Sequence, residues 1–210
     1  MTIQSVIVLV GAYTLGSIPV GLLLVRAMTG KDVRQVGSGR TGGTNVLRVA
    51  GPWVALLTIL GDSAKGLLAV RLAQSFAGAS RFAALAGLLA VVGHNYSVFT
   101  HFKGGAGTMT TVGGAIGLWP WNGAILVCLG TVVIAATRYA SVGSITIALL
   151  VPIVFALRAW LGNAPWDYLI HGVGTFLLTI WALRPNIRRL LAGCERRMKL
   201  SMRQAPPGHR

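Results

Sequence analysis

The sequence predicts an all-α integral membrane protein with about seven transmembrane helices, some of them short. Three observations carry this. Hydrophobic residues make up 54% of the 210 and charged residues 11%, where a soluble domain carries roughly 25% charge. Residues 5–25, 82–102, 104–137 and 139–157 contain no charged side chain. Each of these runs is long enough for the about 20 helical residues that cross a hydrocarbon core about 30 Å thick. The net charge of +15 is also distributed unevenly between alternate connections.

In chain order, the first span covers residues 1–27. It has no basic region before its apolar run and no cleavage pattern after it, so it reads as a permanent helix and not a signal peptide. Residues 52–73 form the second span, apolar except for Asp62 and Lys65, and residues 82–100 form the third. The uncharged run 104–137 is divided by Trp119-Pro120-Trp121-Asn122-Gly123. Proline interrupts a helix, Asn-Gly favours a tight turn, and tryptophan prefers the membrane interface. Two short spans follow, 104–118 and 123–137. Residues 141–157 and 166–183 complete the set, the last carrying Asp167 and His171.

With the N-terminus outside, Arg26, Lys31, Arg34, Arg40, Arg48, Lys103, Arg138 and the tail from Arg184 lie inside; only Arg71, Arg81 and Arg158 lie outside. This is the positive-inside pattern, and it puts the C-terminus of a multi-pass membrane protein in the cytoplasm. The basic excess is thereby explained by topology and contact with anionic membrane lipids, not by nucleic acid. One domain is expected over residues 1–203, with a disordered tail at 204–210. Cys128 and Cys194 offer neither a disulfide framework nor metal-ligand spacing. Glycines 87, 113, 114, 117 and 143 read as points of close helix approach.

The chemistry concentrates in two loops on the same side. The first, Gly37-Ser38-Gly39-Arg40-Thr41-Gly42-Gly43-Thr44-Asn45-Val46-Leu47-Arg48, combines four glycines, three hydroxyls, an amide and two arginines. Glycine leaves backbone N–H groups open to an anion, and arginine grips phosphate with paired hydrogen bonds. The match to G-x-G-x-x-G lacks the preceding strand, and Gly43 stands where a P-loop has lysine. What remains is an anion site built from Ser38, Gly39, Arg40, Gly42, Thr44, Asn45 and Arg48. The second loop runs from Gly93-His94 to Lys103-Gly104-Gly105-Ala106-Gly107. Lys103 with Gly104, Gly105 and Gly107 reads as a second phosphate cradle, leading into a helix at about Thr108 whose N-terminus favours an anion. His94 and His101 are candidate proton carriers. Asp62 and Lys65, three apart on one helical face, read as a structural ion pair inside the membrane.

Together these motifs resemble the bacterial membrane glycerol-3-phosphate acyltransferases that use acyl-phosphate as donor. The first loop is similar to that family's Gly-Ser-Gly-Asn-x-Gly-Ala-Thr-Asn-x-x-Arg. Gly61-Asp62-Ser63-Ala64-Lys65-Gly66 resembles its Gly-Asp-x-x-Lys-Gly, and the second loop resembles Gly-His…Phe-Lys-Gly-Gly-Lys-Gly. Arg138 to Ser144 and Asn186 to Glu195 resemble the later signatures, which adds Ser141 and Asn186 to the candidate site. The chain departs from the pattern at Ala106 (lysine in the family), Leu183 (histidine), Pro185 (glutamate) and Arg40 (asparagine).

The resemblance implies acyl transfer from acyl-phosphate to the 1-hydroxyl of glycerol 3-phosphate, giving lysophosphatidic acid for phospholipid biosynthesis, in the bacterial cell membrane. No cofactor and no metal is expected. Arg48 and Lys103 would stabilise charge, and a substrate phosphate oxygen or His94 would take the hydroxyl proton. The acyl tail would lie among residues 104–118 and 141–157. A soluble enzyme that produces acyl-phosphate is a candidate partner on the basic face. The alternatives are a transporter or binding protein for an anionic solute, and a relative that binds without turnover.

Overall fold

A computed structural model describes residues 2–198. The expected tail at 204–210 and the end of the expected domain lie outside the described residues. Among those described, the only regular elements are helices: α1 (Ile3–Ser17), α2 (Val20–Thr29), α3 (Gly43–Ala77), α4 (Ser80–Asn95), α5 (Thr108–Leu118), α6 (Pro120–Thr137), α7 (Ala140–Trp160) and α8 (Tyr168–Leu191), with short 3₁₀ turns at Val33–Gln35 and Val98–Thr100.

Five segments are long and apolar enough to cross a bilayer: Ile3–Thr29, Gly43–Ala77, Ser80–Thr100, Pro120–Thr137 and Ala140–Trp160. The other two expected spans differ from a simple crossing. α5 has 11 residues, about 16 Å of helix, so it reaches only about half way through the membrane. Eight of the 11 are buried, so its neighbours shelter most of it from lipid. α8 is longer than the expected span. It runs through Pro185 to Leu191 and ends on Arg188 and Arg189.

The helix breaks follow from the residues. The first span divides at Ile18–Pro19 because proline cannot extend the hydrogen-bond ladder. α3 bends at Gly51, whose φ of 83° lies outside the helical region, directly before Pro52. Residues 43–50, expected to belong to a loop and its exit, are therefore a helical leg set at an angle to the following span. The turn between α5 and α6 is shorter than expected. Pro120 takes the first helical position of α6, where its missing N–H costs nothing, and Asn122 and Gly123 are helical and buried.

Small residues let α3 and α5 cross at contact distance. A Cβ on Gly113 would stand 1.8 Å from the Ser63 carbonyl oxygen, and one on Gly66 2.1 Å from that of Thr110. The expected close-approach role of glycines 87, 114, 117 and 143 also holds: each would drive a Cβ into a neighbouring helix within 3 Å. A wide lipid-facing surface remains outside this core, including Ile7, Leu60, Leu68, Val132, Ile153 and Leu177.

Candidate active site

The N-terminal ends of α3, α5 and α7, the C-terminal half of α8, and residues 195–196 surround one cavity. α3 and α5 both open there with unpartnered first-turn N–H groups. Gly42, Gly43 and Thr44 line it from α3; Ala106, Gly107, Thr108 and Met109 line it from α5. Two helix N-termini facing one space provide two neutral sites for anions. The apolar part of the lining is made by Ile59, Met109, Ile134, Ile147 and Leu183.

The first loop is built around Asn45. Its side-chain amide donates to the carbonyls of Val33 (2.9 Å), Val36 (3.0 Å) and Arg40 (2.9 Å), and its Oδ1 accepts from the Ser38 N–H (3.0 Å). Asn45 is 2% exposed. Asn45 lines the cavity as expected, but its NH₂ group is spent on shaping the loop, and only a second lone pair of Oδ1 stays open. Gly39 departs from its expected role. Its N–H donates to the Val36 carbonyl at 3.1 Å, and it lies off the cavity. Its φ of 71° serves the turn. Ser38, Gly42 and Thr44 do line the cavity, and the Ser38 hydroxyl has no hydrogen-bond partner among the described residues.

Arg40 reaches across to α8. One of its amino groups donates to Asn186 Oδ1 at 2.9 Å, the other to the Ala182 carbonyl. Asn186 donates in turn to Glu195 Oε1 (2.7 Å), which also accepts from the Ser141 hydroxyl (3.3 Å); Arg189 holds Glu195 Oε2 at 2.7 Å. The network joins the first loop, α7, α8 and the segment after α8. Burial lowers the pKa of Arg40, and the nearby charge of Arg189 lowers it further.

Burial alone would raise the Glu195 carboxyl, but the hydrogen bonds from Asn186 and Arg189 outweigh it and hold the group below the ordinary carboxylate range. A depressed carboxylate contributes stability above its unfolded value and loses it as pH falls through the folded value. The melting-temperature difference between wild type and Glu195→Gln is therefore expected to be largest above the ordinary carboxylate range and to close as pH falls below that range. A difference that grows on acidification would contradict this assignment.

Arg48 projects from the short leg of α3 into the cavity and has no hydrogen bond or ion pair with the described residues. Arg196 lines the same space. The two acids at the cavity, Asp62 and Glu195, are already paired with Lys65 and Arg189. The arginines therefore leave an uncompensated positive field.

The second loop corrects three expectations. Lys103 is exposed and does not line the cavity. His101 and Phe102 adopt positive φ, and Thr100 Oγ1 bonds the Lys103 carbonyl at 2.9 Å; the tight turn draws the backbone in and leaves the lysine side chain outside. The N–H groups of Gly104 and Gly105 are spent on the carbonyls of Asn95 (3.2 Å) and His94 (3.1 Å), so neither can cradle phosphate. Gly107 alone keeps its expected place, as the N-terminal cap of α5 with φ 80°. His101 is exposed and away from the cavity.

Asp62 and Lys65 do pair, at 2.9 Å, but not in isolation. Lys65 Nζ also lies 2.8 Å from His94 Nδ1 and 3.0 Å from the Ile18 carbonyl, which the break before Pro19 turns out of its helix. Asp62 and His94 line the cavity, so the expected structural pair is the rear wall of the site. Ser141 and Asn186 line it as expected, as do the two departures Ala106 and Leu183. Glu195 and Arg196 escaped sequence reasoning as site residues. The available signal was rarity: the chain has four acidic residues, and one of them stands alone among the arginines of the tail.

Residues 6–193 match the family described as glycerol-3-phosphate acyltransferase. The chain is 42% identical over 192 residues to the glycerol-3-phosphate acyltransferase of Syntrophomonas wolfei, covering 91% of this chain and 96% of that one. It is 40% identical over 200 residues to that of Symbiobacterium thermophilum, covering 95% and 98%. The fold is similar to the crystal structure of PlsY (YgiH), an integral membrane glycerol 3-phosphate acyltransferase, in its glycerol 3-phosphate form. That match has a TM-score of 0.84 and 33% identity, and covers 93% of this chain and 96% of the other. A second form of PlsY, with lysophosphatidic acid, matches with a TM-score of 0.82 and 31% identity.

Proposed function

We propose that this chain, which belongs to the glycerol-3-phosphate acyltransferase family, transfers an acyl group from acyl-phosphate to the 1-hydroxyl of glycerol 3-phosphate. The products are lysophosphatidic acid and inorganic phosphate. One observation carries the reading: two helix N-termini and three arginines, Arg40, Arg48 and Arg196, face one cavity with an apolar wall. The two substrates bring two phosphates and one acyl chain, and the cavity offers a counterpart to each.

Acyl-phosphate is already activated, so no protein nucleophile is needed. The 1-hydroxyl oxygen bonds to the acyl carbon, the carbon–oxygen bond to phosphate breaks, and inorganic phosphate leaves with the bonding pair. A phosphate oxygen takes the hydroxyl proton. The protein's work is to bring the two substrates together and to stabilise the negative charge that gathers on the carbonyl oxygen. The first N–H groups of α5 suit that task because the helix fixes them before the reaction begins, and Arg48 suits it because its guanidinium is left unbonded by the described residues at the same cavity. Arg40, held by Asn186 and Ala182, suits a bound phosphate. Ile134, Ile147 and Met109 suit the start of the acyl chain.

The site then lies at the cytoplasmic face of the cell membrane, with the N-terminus outside, because the basic residues around it follow the positive-inside rule. The donor would come from a soluble acyl-phosphate-producing enzyme at that face. The test is direct. Purified protein is expected to release phosphate from acyl-phosphate only when glycerol 3-phosphate is present, with lysophosphatidic acid formed in equal amount. Movement of glycerol 3-phosphate into sealed vesicles without phosphate release would instead establish a transporter.

A further inference from the structure

We propose that His94 is a neutral hydrogen-bond donor to a substrate oxyanion, with its tautomer fixed from behind by Lys65. This rests on the acyl-transfer reading above and names a further catalytic contact within it. An ammonium group has three hydrogens and no lone pair, so whatever it touches at hydrogen-bond distance must be an acceptor. Lys65 Nζ has three such contacts: the Ile18 carbonyl at 3.0 Å, Asp62 Oδ1 at 2.9 Å and His94 Nδ1 at 2.8 Å. The side chains of Lys65 and Asp62 are each 4% exposed, and the adjacent carboxylate keeps the buried ammonium charged. Two of its hydrogens therefore go to the Ile18 carbonyl and to His94, Asp62 Oδ1 balances its charge as an ion pair, and Nδ1 must present its lone pair.

A neutral imidazole with a bare Nδ1 carries its hydrogen on Nε2. His94 lines the cavity, and its Nε2 has no hydrogen-bond partner among the described residues. The position of this nitrogen explains a glycine as well. A Cβ on Gly105 would stand 2.1 Å from Nε2, so any larger residue would displace the ring edge beside the start of α5. The Nε2–H thus joins the first N–H groups of α5 as one more neutral donor at the same end of the cavity.

The same geometry removes His94 as a general base. In a base of the aspartate–histidine type the carboxylate accepts from Nδ1–H and the bare nitrogen faces the substrate. Here Asp62 Oδ1 is 3.4 Å from Nδ1, longer than an ordinary hydrogen bond, and the closer Lys65 imposes the opposite tautomer. No lone pair of His94 faces the substrate, which leaves the hydroxyl proton to a phosphate oxygen. Asp62 and Lys65 are positioning residues in this scheme.

The test is nitrogen NMR of the histidine-labelled protein in lipid nanodiscs. The His94 signals are assigned by their loss in His94→Gln or, should that variant not fold, by through-space contact with Gly105. The expected spectrum has an unprotonated Nδ1 and a protonated Nε2, and the Nε2 signal moves when glycerol 3-phosphate and an acyl-phosphonate are added. Kinetics give the second readout. His94→Gln, whose side-chain amide can donate from nearly the same place, is expected to keep kcat within tenfold of wild type, whereas His94→Ala loses about 100-fold. A protonated Nδ1 with a bare Nε2 would overturn the proposal, as would a His94→Gln no better than His94→Ala. Wild-type protein with no phosphate release dependent on glycerol 3-phosphate would overturn the acyl-transfer reading instead; the tautomer spectrum is read independently of turnover.

Discussion

Arg48→Ala is expected to lower kcat/KM by about 100-fold or more while leaving the melting temperature nearly unchanged. The separation follows from how Arg48 is held. Its guanidinium makes no bond within the described residues, so its removal orphans no protein partner. Its backbone belongs to the short helical leg that precedes the kink at Gly51, and alanine keeps that leg helical. What disappears is a planar cation aimed into the cavity. Arg48→Lys is expected to recover only part of the rate, because an ammonium lacks the paired geometry that grips two phosphate oxygens. Initial rates with both substrates varied, set beside a melting curve in the same detergent, check this. Unchanged rates in Arg48→Ala would remove Arg48 from the mechanism.

The second large effect is on stability. Asp62→Ala is expected to destabilise the protein by about 3–5 kcal/mol, because it leaves the Lys65 ammonium buried without its counter-ion. The damage reaches beyond the pair. Lys65 joins α3 to the break between α1 and α2 and to His94 at the end of α4, and His94 packs against the glycines that lead into α5. Replacing both charges, as in Asp62→Leu with Lys65→Met, is expected to restore much of the lost stability, since apolar packing commonly offsets a buried ion pair. It is not expected to restore the rate, because nothing then holds His94 in its donor tautomer. Thermal unfolding and activity of the single and double variants, measured in parallel, check both halves. A double variant with normal turnover would show the triad to be structural only.

The membrane character, the order of the helices and the family resemblance were legible in the sequence, and the reasons are local. A run of apolar residues without charge has one stable place to go, and proline or glycine marks where its hydrogen-bond ladder stops. Pro19, Pro52 and Pro120 each stand at or beside a break in the structure, and α5 begins at Thr108 as the glycine run before it predicts. Much of the cavity lining was legible too: Ser38, Arg40, Gly42, Thr44, Asn45, Arg48, His94, Gly107, Ser141 and Asn186 all line it.

Which of their atoms remain free was not legible. Asn45, Gly104 and Gly105 are polar and flexible residues in the right segments, yet the Asn45 NH₂ group and the N–H groups of the two glycines are consumed by their neighbours. Lys103 has the right charge on the right loop, yet two positive-φ residues just before it turn its side chain outward. The sequence by itself determined that this chain crosses a membrane and carries most of the polar residues that line its cavity. The tertiary structure alone decided which groups face that site, because a hydrogen-bonding group is available to a substrate only when no nearer partner has already claimed it.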